Sequence, residues 1–438
     1  MFPIPDNFIP ADINRLKSYW PIRNKGNDYK WENVTELVLG QALNKQVSQL
    51  SLEQYRDKCQ QHFVNILDNS EFWTVLDKTY FTNESLFKIS PLFLLFKVNY
   101  SEDGKLKVSV ADSRMSTLFF GLMDNYKISE ALNHQLNFVE KELLEVLFDH
   151  LTDKKSLEVD ELPYLPFLNQ TFQADMNFLA IYPQYLLTQL ANLLKLYAFS
   201  YCSQLVMNVD KFKKGEPESA KIYFILDSEK ASSERSALKN FGYKTLKLTS
   251  ERVFPLLSAL EQMQIKGQIK RPLWKVYQDV QNYADPQKVL DKFNEYLATF
   301  AELRRLAPRP EAQGLEQAFD IWRELAIEQF KDIKSERSGV NNKYVNQLES
   351  QIFAEFVQSR GPAGKTLVLN QDQLILLTNL AIGQRERLRL HELIKEFESR
   401  GFYLDNQSQQ ALIEFFERMG NVERMSDSGD AVYVRKTL

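Results

Sequence analysis

Few residues in this chain have the types and spacing that catalysis requires. Asp227 ends the apolar run "IYFILD" and is followed by Ser228, Glu229 and Lys230. An acid at a strand end with Glu and Lys nearby is a pattern of metal-dependent nucleases, where carboxylates hold the ion that activates water. The competing reading is a charged strand-to-helix turn, since no second anchored acid can be named. "SRGPAGKTLVL" (Ser359–Leu369) invites comparison with the phosphate-binding loop G-x-x-x-x-G-K-[ST]. Gly364, Lys365 and Thr366 fit it, but Ser359 stands where the first glycine belongs. A helix precedes and an extended piece follows, the reverse of the order that aims helix N–H groups at phosphate. A glycine-rich hinge explains the stretch better. "CQQH" sets Cys59 and His62 one helical turn apart, yet a structural zinc site takes four ligands. Cys202, His134, His150 and His391 lie far off without paired spacing. No serine or cysteine occupies a nucleophile elbow. The expectation is a chain that is not an enzyme, with no metal and no cofactor.

Recognition chemistry is better supported. In "DNQSQQALIEFFERMG" (405–420) the helical wheel turns Ala411, Leu412, Phe415, Phe416 and Met419 inward. Asn406, Gln407 and Gln410 face outward near the start. The first residues of a recognition helix meet base edges, and Asn or Gln can bond adenine through two hydrogen bonds. Glu414 and Glu417 follow on the same face and would repel phosphate. Arg385, Arg387, Arg389, Arg424, Arg435 and Lys436 could clamp a backbone. From Gly361 onward, however, ten basic residues stand against eleven acidic ones, so the segment is not basic overall. The expected DNA-binding set is Asn406, Gln407, Gln410, Arg424, Arg435 and Lys436.

The last candidate is "NVERMSDSGDAVYVRK" (421–436), which reads as a hairpin. Asp427-Ser428-Gly429 suits a three-residue turn with glycine in the left-handed position. Asp427 and Asp430 make the tip acidic, so any phosphate contact belongs to the flanks, Arg424, Arg435 and Lys436. A contact by the tip itself calls for a basic protein surface.

These residues need elements to hold them. "QDQLILLTNLAIG", "RLRLHELIKEFESRG" and "DNQSQQALIEFFERMG" read as three helices, with Gly401 and Gly420 as stops. Helix, helix, helix and a two-stranded ribbon is the winged helix-turn-helix order, preceded by the short extended "TLVLN". Upstream, Asp285-Pro286 reads as an N-cap with proline at the first helical position. Val289, Phe293, Tyr296, Leu297, Phe300 and Leu303 then line one face. Leu315, Phe319, Trp322, Leu325, Ala326, Phe330 and Ile333 make a second face. Tyr344, Val345, Leu348, Ile352, Phe353 and Phe356, after Gly339, make a third. "AKIYFILD" reads as one buried strand, and "RVFPLLSALEQMQ" as a helix with Pro255 near its start. In the first part, "PLFLLFKVNYSEDGKLKVSVAD" (91–112) reads as two strands around Glu102-Asp103-Gly104, and "LNFVEKELLEVLFDHLTD" (136–153) as an amphipathic helix.

The expected fold is mainly α, with an α+β character and several domains: an N-terminal α+β domain at 1–165, a central helical domain with one buried strand at 166–358, and a C-terminal winged helix at 359–438. With 438 residues and 44% hydrophobic content, the chain can bury several cores. A net charge of −4 excludes a basic field over the whole chain, so any nucleic-acid contact must be local. Two cysteines imply no disulfide framework. The opening "MFPIPDNFIPADINRLK" lacks a basic segment followed by an apolar run, so no signal peptide is read and a cytoplasmic location is expected. From Phe178 to Val209 the only charge is Lys195, but Pro183 and several Gln, Asn and Ser interrupt the run. A buried core helix is expected there, not a membrane span of about 20 apolar residues.

The stretch "ESRGFYLDNQSQQALIEFFERMGNVERMSDSGDAVYV" (398–434) resembles the end of the DptG family of DNA phosphorothioation-dependent restriction proteins. That family shows R-G-x-x-x-D, here Arg400, Gly401 and Asp405, and an S-D-S-G-D-A-x-Y-V wing, here Ser426 to Val434. Gly364-Lys365-Thr366 leading into "LVLN" and the "IYFILDSEKAS" segment (222–232) are similar to it too. The clearest matches run from Gly364 to the C-terminus and over this central segment. The segment 1–165 matches by position and character alone. The resemblance implies a subunit, without an enzyme motif of its own, of a three-protein restriction module in the DNA phosphorothioation (Dpt/Dnd) system that defends against foreign DNA. The module acts on DNA lacking backbone sulfur. It also implies ATPase and helicase-like partner subunits. Double-stranded DNA is expected as a further partner, and no membrane. Two other readings stand beside it. One is a structural adaptor whose winged helix docks protein, not DNA. The other is a metal-dependent nuclease centred on Asp227.

Overall fold

The computed structural model describes residues 2–438 apart from 48–49, 68–70, 83–84, 97–107, 129–135, 154–158, 231–234 and 426–430. The described chain is mainly helical with small sheets. By packing it divides into two units, one of residues 28–158 and 172–194, the other of residues 1–27, 159–171 and 195–438. This grouping cuts across the segments 1–165, 166–358 and 359–438 expected from sequence. Residues 359–438 pack with residues 195–358.

The first unit holds α1 (Trp31–Leu43), β1 (Lys45–Val47), α2 (Leu52–Ile66), α3 (Phe72–Tyr80), α4 (Val110–Met123), α5 (Phe138–Phe148) and β2 (Leu151–Asp153). It also takes α6 (Pro166–Ile181) from residue 172 and α7 (Pro183–Asn208) up to residue 194. Reciprocal capping boxes start three of the helices: Ser51 with Gln54, Ser109 with Asp112, and Asn137 with Glu140. Each satisfies two backbone donors that a helix start leaves open.

Two expectations fail in this unit. Pro91–Phe96 is a 3₁₀ turn with Leu92, Phe93 and Leu95 buried, and Val110 begins α4. The strand pair expected over 91–112 is therefore not formed at its described ends, and its turn lies outside the described residues. The alternation before Val110 imitates a strand, but the Ser109-x-x-Asp112 capping box is the competing signal. The helix expected over 136–153 stops at Phe148, and Leu151–Asp153 instead pairs antiparallel with Lys45–Val47.

The second unit is built around the rest of α7. Every residue from Leu196 to Val206 is buried. A helix apolar all round belongs in a core, and its polar groups find partners there. Ser200 Oγ donates to the Arg400 carbonyl at 2.6 Å. Gln204 donates to the Ala220 carbonyl at 2.9 Å and accepts from the Ala220 N–H at 2.7 Å. Among the described residues no helix is long and apolar enough to cross a membrane.

Then come β3 (Tyr223–Leu226), α8 (Ser236–Phe241), α9 (Tyr243–Ser250), α10 (Val253–Leu260), α11 (Leu273–Gln281), α12 (Pro286–Arg304), α13 (Leu315–Glu328) and α14 (Glu336–Leu348). Asp285 caps α12 by accepting the Lys288 N–H, with Pro286 in the first turn, as expected. The three apolar faces are buried apart from Leu303 and Ile333. Ile333 is 87% exposed because α13 has already ended at Glu328. A π turn (Glu349–Phe353) extends α14.

The remaining elements are β4 (Val357–Ser359), β5 (Lys365–Leu369), α15 (Gln371–Ile382), β6 (Arg387–Arg389), α16 (Leu390–Ser399), β7 (Tyr403–Leu404), α17 (Asn406–Met419), β8 (Val422–Met425) and β9 (Ala431–Arg435). They make two sheets. One is four-stranded, in the order β4-β5-β3-β7. In it β5 and β7 both run parallel to β3, and β4 closes antiparallel on β5. The Phe199 ring of α7 packs against Phe224, Phe356 and Phe402, at 5.5, 4.3 and 6.1 Å between centroids. Such aromatic pairs add about 0.5–1.5 kcal/mol each beyond the area they bury. The other sheet is antiparallel, in the order β6-β9-β8. The expected two-stranded ribbon thus gains a third strand, β6.

Candidate functional site

The start of α17 is fixed by a buried polar knot. Asp405 caps the helix by accepting the Ser408 N–H at 3.0 Å. Its carboxylate takes a two-pronged contact from Arg235, in which Nε donates to Oδ2 at 2.8 Å and Nη2 donates to Oδ1. The same guanidinium donates to Glu229 Oε1 at 2.8 Å and to Ser408 Oγ at 2.7 Å. Glu229 Oε2 accepts the Leu226 N–H at 2.7 Å, and Ser408 Oγ donates to the Phe224 carbonyl at 3.2 Å. The side chains of Arg235 and Glu229 are 7% and 6% exposed, so water does not compete for these bonds. Burial raises the Asp405 carboxyl pKa, but Arg235 and the Ser408 N–H outweigh it and the net shift is downward.

The turn before α17 is equally constrained. Gly401 has φ +86°, and its N–H and that of Phe402 close on the carbonyls of Glu398 and Phe397. This is the left-handed cap of α16. A Cβ at Gly401 would stand 2.7 Å from Gln204 Nε2. Arg400, 4% exposed, bonds the carboxylate of Glu396 at 2.9 Å. Each residue of the Arg400-Gly401-x-x-x-Asp405 pattern therefore has a place in the joint between α16 and α17.

On this platform Asn406, Gln407 and Gln410 are all exposed. Glu414 and Glu417 are exposed further along the same helix. The basic side chains expected to clamp a backbone are engaged within the unit. Arg424 donates to Glu417, through Nη2 at 2.5 Å and Nε at 3.1 Å. Arg387 and Arg435 both pair with Glu423. Lys436 Nζ donates to the Gly383 carbonyl at 3.2 Å. Arg385 pairs with Glu396 at 2.9 Å, and Arg389 Nε donates to Tyr433 Oη at 2.9 Å. The hairpin tip with Asp427 and Asp430 lies outside the described residues.

The other candidates separate. Asp227 is half-exposed and pairs with Arg360 at 2.7 Å. Among the described residues no three His, Cys, Asp or Glu side chains group as metal ligands. The "SRGPAGKT" stretch is a hairpin loop, not a hinge. Ser359 ends β4, Gly361 and Gly364 take positive φ, and Lys365 starts β5 and pairs with Glu349. Cys59 is buried, and burial pushes its thiol up to about 12 even though Tyr55 bonds it. His62 turns away to Glu142 at 2.6 Å. Sequence reasoning misses Glu229, Arg235 and Ser408 as a group, because nothing local marks side chains that meet only across a long return of the chain. Ser408, a polar residue three places after a cap on a helix that packs inward, is the one available sign.

Comparison with models of protein families finds none that matches this chain, and no curated protein matches it.

Proposed function

We propose that this chain is a non-catalytic subunit of a DNA phosphorothioation-dependent restriction complex, and that its C-terminal segment is a winged helix engaging double-stranded DNA. The observation that carries the DNA reading is the exposed group of Asn406, Gln407 and Gln410 on a helix start where Asp405 and Ser408 are bound to Arg235. The element order α15, β6, α16, α17, β8, β9, with the sheet order β6-β9-β8, supports the winged-helix reading. The stretches that carry the family resemblance contain three neighbouring strands of one sheet, β3, β5 and β7, which supports treating them as one unit. The helical body then docks the ATPase and helicase-like partners.

Alanine at Asn406, Gln407, Gln410, Arg424, Arg435 and Lys436 together tests the DNA reading in the full chain. Duplex affinity should fall, and its dependence on salt should flatten. Unchanged affinity and salt slope would remove the groove contact from α17.

A second reading, a winged helix that docks protein, is favoured by the ion pairs of Arg424 and Arg435. Both cations are already balanced by Glu417 and Glu423, and a phosphate must displace those carboxylates. Capture of a partner subunit by the full chain, lost in the same six-alanine variant while no duplex binds, supports this reading instead.

A further inference from the structure

The geometry points to the α8–α9 elbow, through Lys239 and Lys244, as the surface that meets duplex phosphates. This rests on the DNA-binding reading above and adds to its phosphate contacts two cations that are not already engaged. From Arg235 to Ser250 the chain carries Lys239, Lys244 and Lys247 and no Asp or Glu. Lys239 and Lys244 are exposed, and neither side chain has a hydrogen-bond or ion-pair partner among the described residues. That sets them apart from Arg424, Arg435 and Lys436, each of which is engaged by its own unit. Lys247 is held by Glu349 at 3.0 Å and is left out of the surface.

Position argues the same way. The Lys239 N–H donates to the Arg235 carbonyl at 3.0 Å, so Lys239 follows one turn after Arg235, the extended residue that leads into α8. Arg235 grips Asp405, the cap of α17. Lys239 therefore lies on the short helix that begins just after the residue anchoring the start of α17. The elbow requires glycine, since a Cβ at Gly242 would collide with the Leu238 carbonyl oxygen, and Lys244 lies two residues on. Phe241, 42% exposed, sits between the two lysines in sequence. Exposed cations with no ion-pair partner suit the phosphate backbone of a polyanion.

The test is the full chain carrying Lys239→Glu and Lys244→Glu, with Lys331→Glu, an exposed lysine elsewhere, as control. Anisotropy of a labelled duplex is followed from about 50 to 200 mM salt, with the fold checked by thermal melting. The double variant should bind about tenfold more weakly or worse, with a log–log salt slope shallower by about 2, while the control is unchanged. Equal affinity and slope in the double variant would overturn the elbow assignment and leave the DNA reading standing. A wild-type chain that binds no duplex at low salt would overturn both. Binding to vesicles containing phosphatidylserine, but not to duplex, would assign the elbow to a lipid surface and overturn the proposal.

Discussion

Arg235 holds two carboxylates and a hydroxyl at once, with almost no water around it. Removing one partner from such a cluster leaves buried charge without compensation, at a cost of about 3–5 kcal/mol. Arg235→Ala should lower unfolding stability by that order in a denaturant titration. Arg235→Lys should recover only part of it, because an ammonium cannot fork onto Asp405. Arg424→Ala, which breaks the exposed pair with Glu417, should change stability by no more than about 1 kcal/mol. Equal losses in Arg235→Ala and Arg424→Ala would show that the knot is not what holds α17. A cap at Asp405 or Asn406 is legible in the sequence, because a cap is a local signal. Arg235 is not, since its role exists only after the chain has returned to it from a distant segment.

At the level of elements, the same division holds. α12 and α17 are legible because their caps and apolar faces lie within one short stretch. β3 is legible as a buried strand, but its parallel pairings with β5 and β7 are not, since no turn joins them and each pairing is short. Glu349 shows how such distant elements are tied. It sits on the π turn after α14 and accepts from Lys247 and Tyr243 of α9 and from Lys365 of β5. Burial alone would raise its carboxyl pKa, but these three donors outweigh it and bring the value down to about 2. A carboxyl depressed on folding stabilises above its unfolded value, near 4.5, and loses that contribution as pH falls towards 2. The melting-temperature advantage of the wild type over Glu349→Gln should therefore be full at neutral pH and shrink between about pH 4.5 and 2. An advantage that stays constant through that window would mean the three donors do not depend on the carboxylate.

For the whole molecule, the decisive feature is that residues 359–438 do not close on themselves. Their strands β5 and β7 are separated by β3, and Asp405 is bound by Arg235. A fragment of residues 361–438 should therefore lose cooperative unfolding or aggregate, although it contains every element of the proposed winged helix. A fragment that melts cooperatively at the temperature of the full chain would contradict this. The expected boundary near 359 follows a change in sequence character, and that carries no trace of pairing between strands so far apart in the chain.

The place of β3 between two later strands also has a consequence during synthesis. Tyr223–Leu226 leaves the ribosome well ahead of β5 and further still ahead of β7. At about 5–20 residues per second, that apolar strand waits roughly 7–28 s with both edges unpaired. Nascent chains that stop anywhere before β5 present it permanently. A pause in translation after β3 should therefore raise aggregation more than an equal pause after β7.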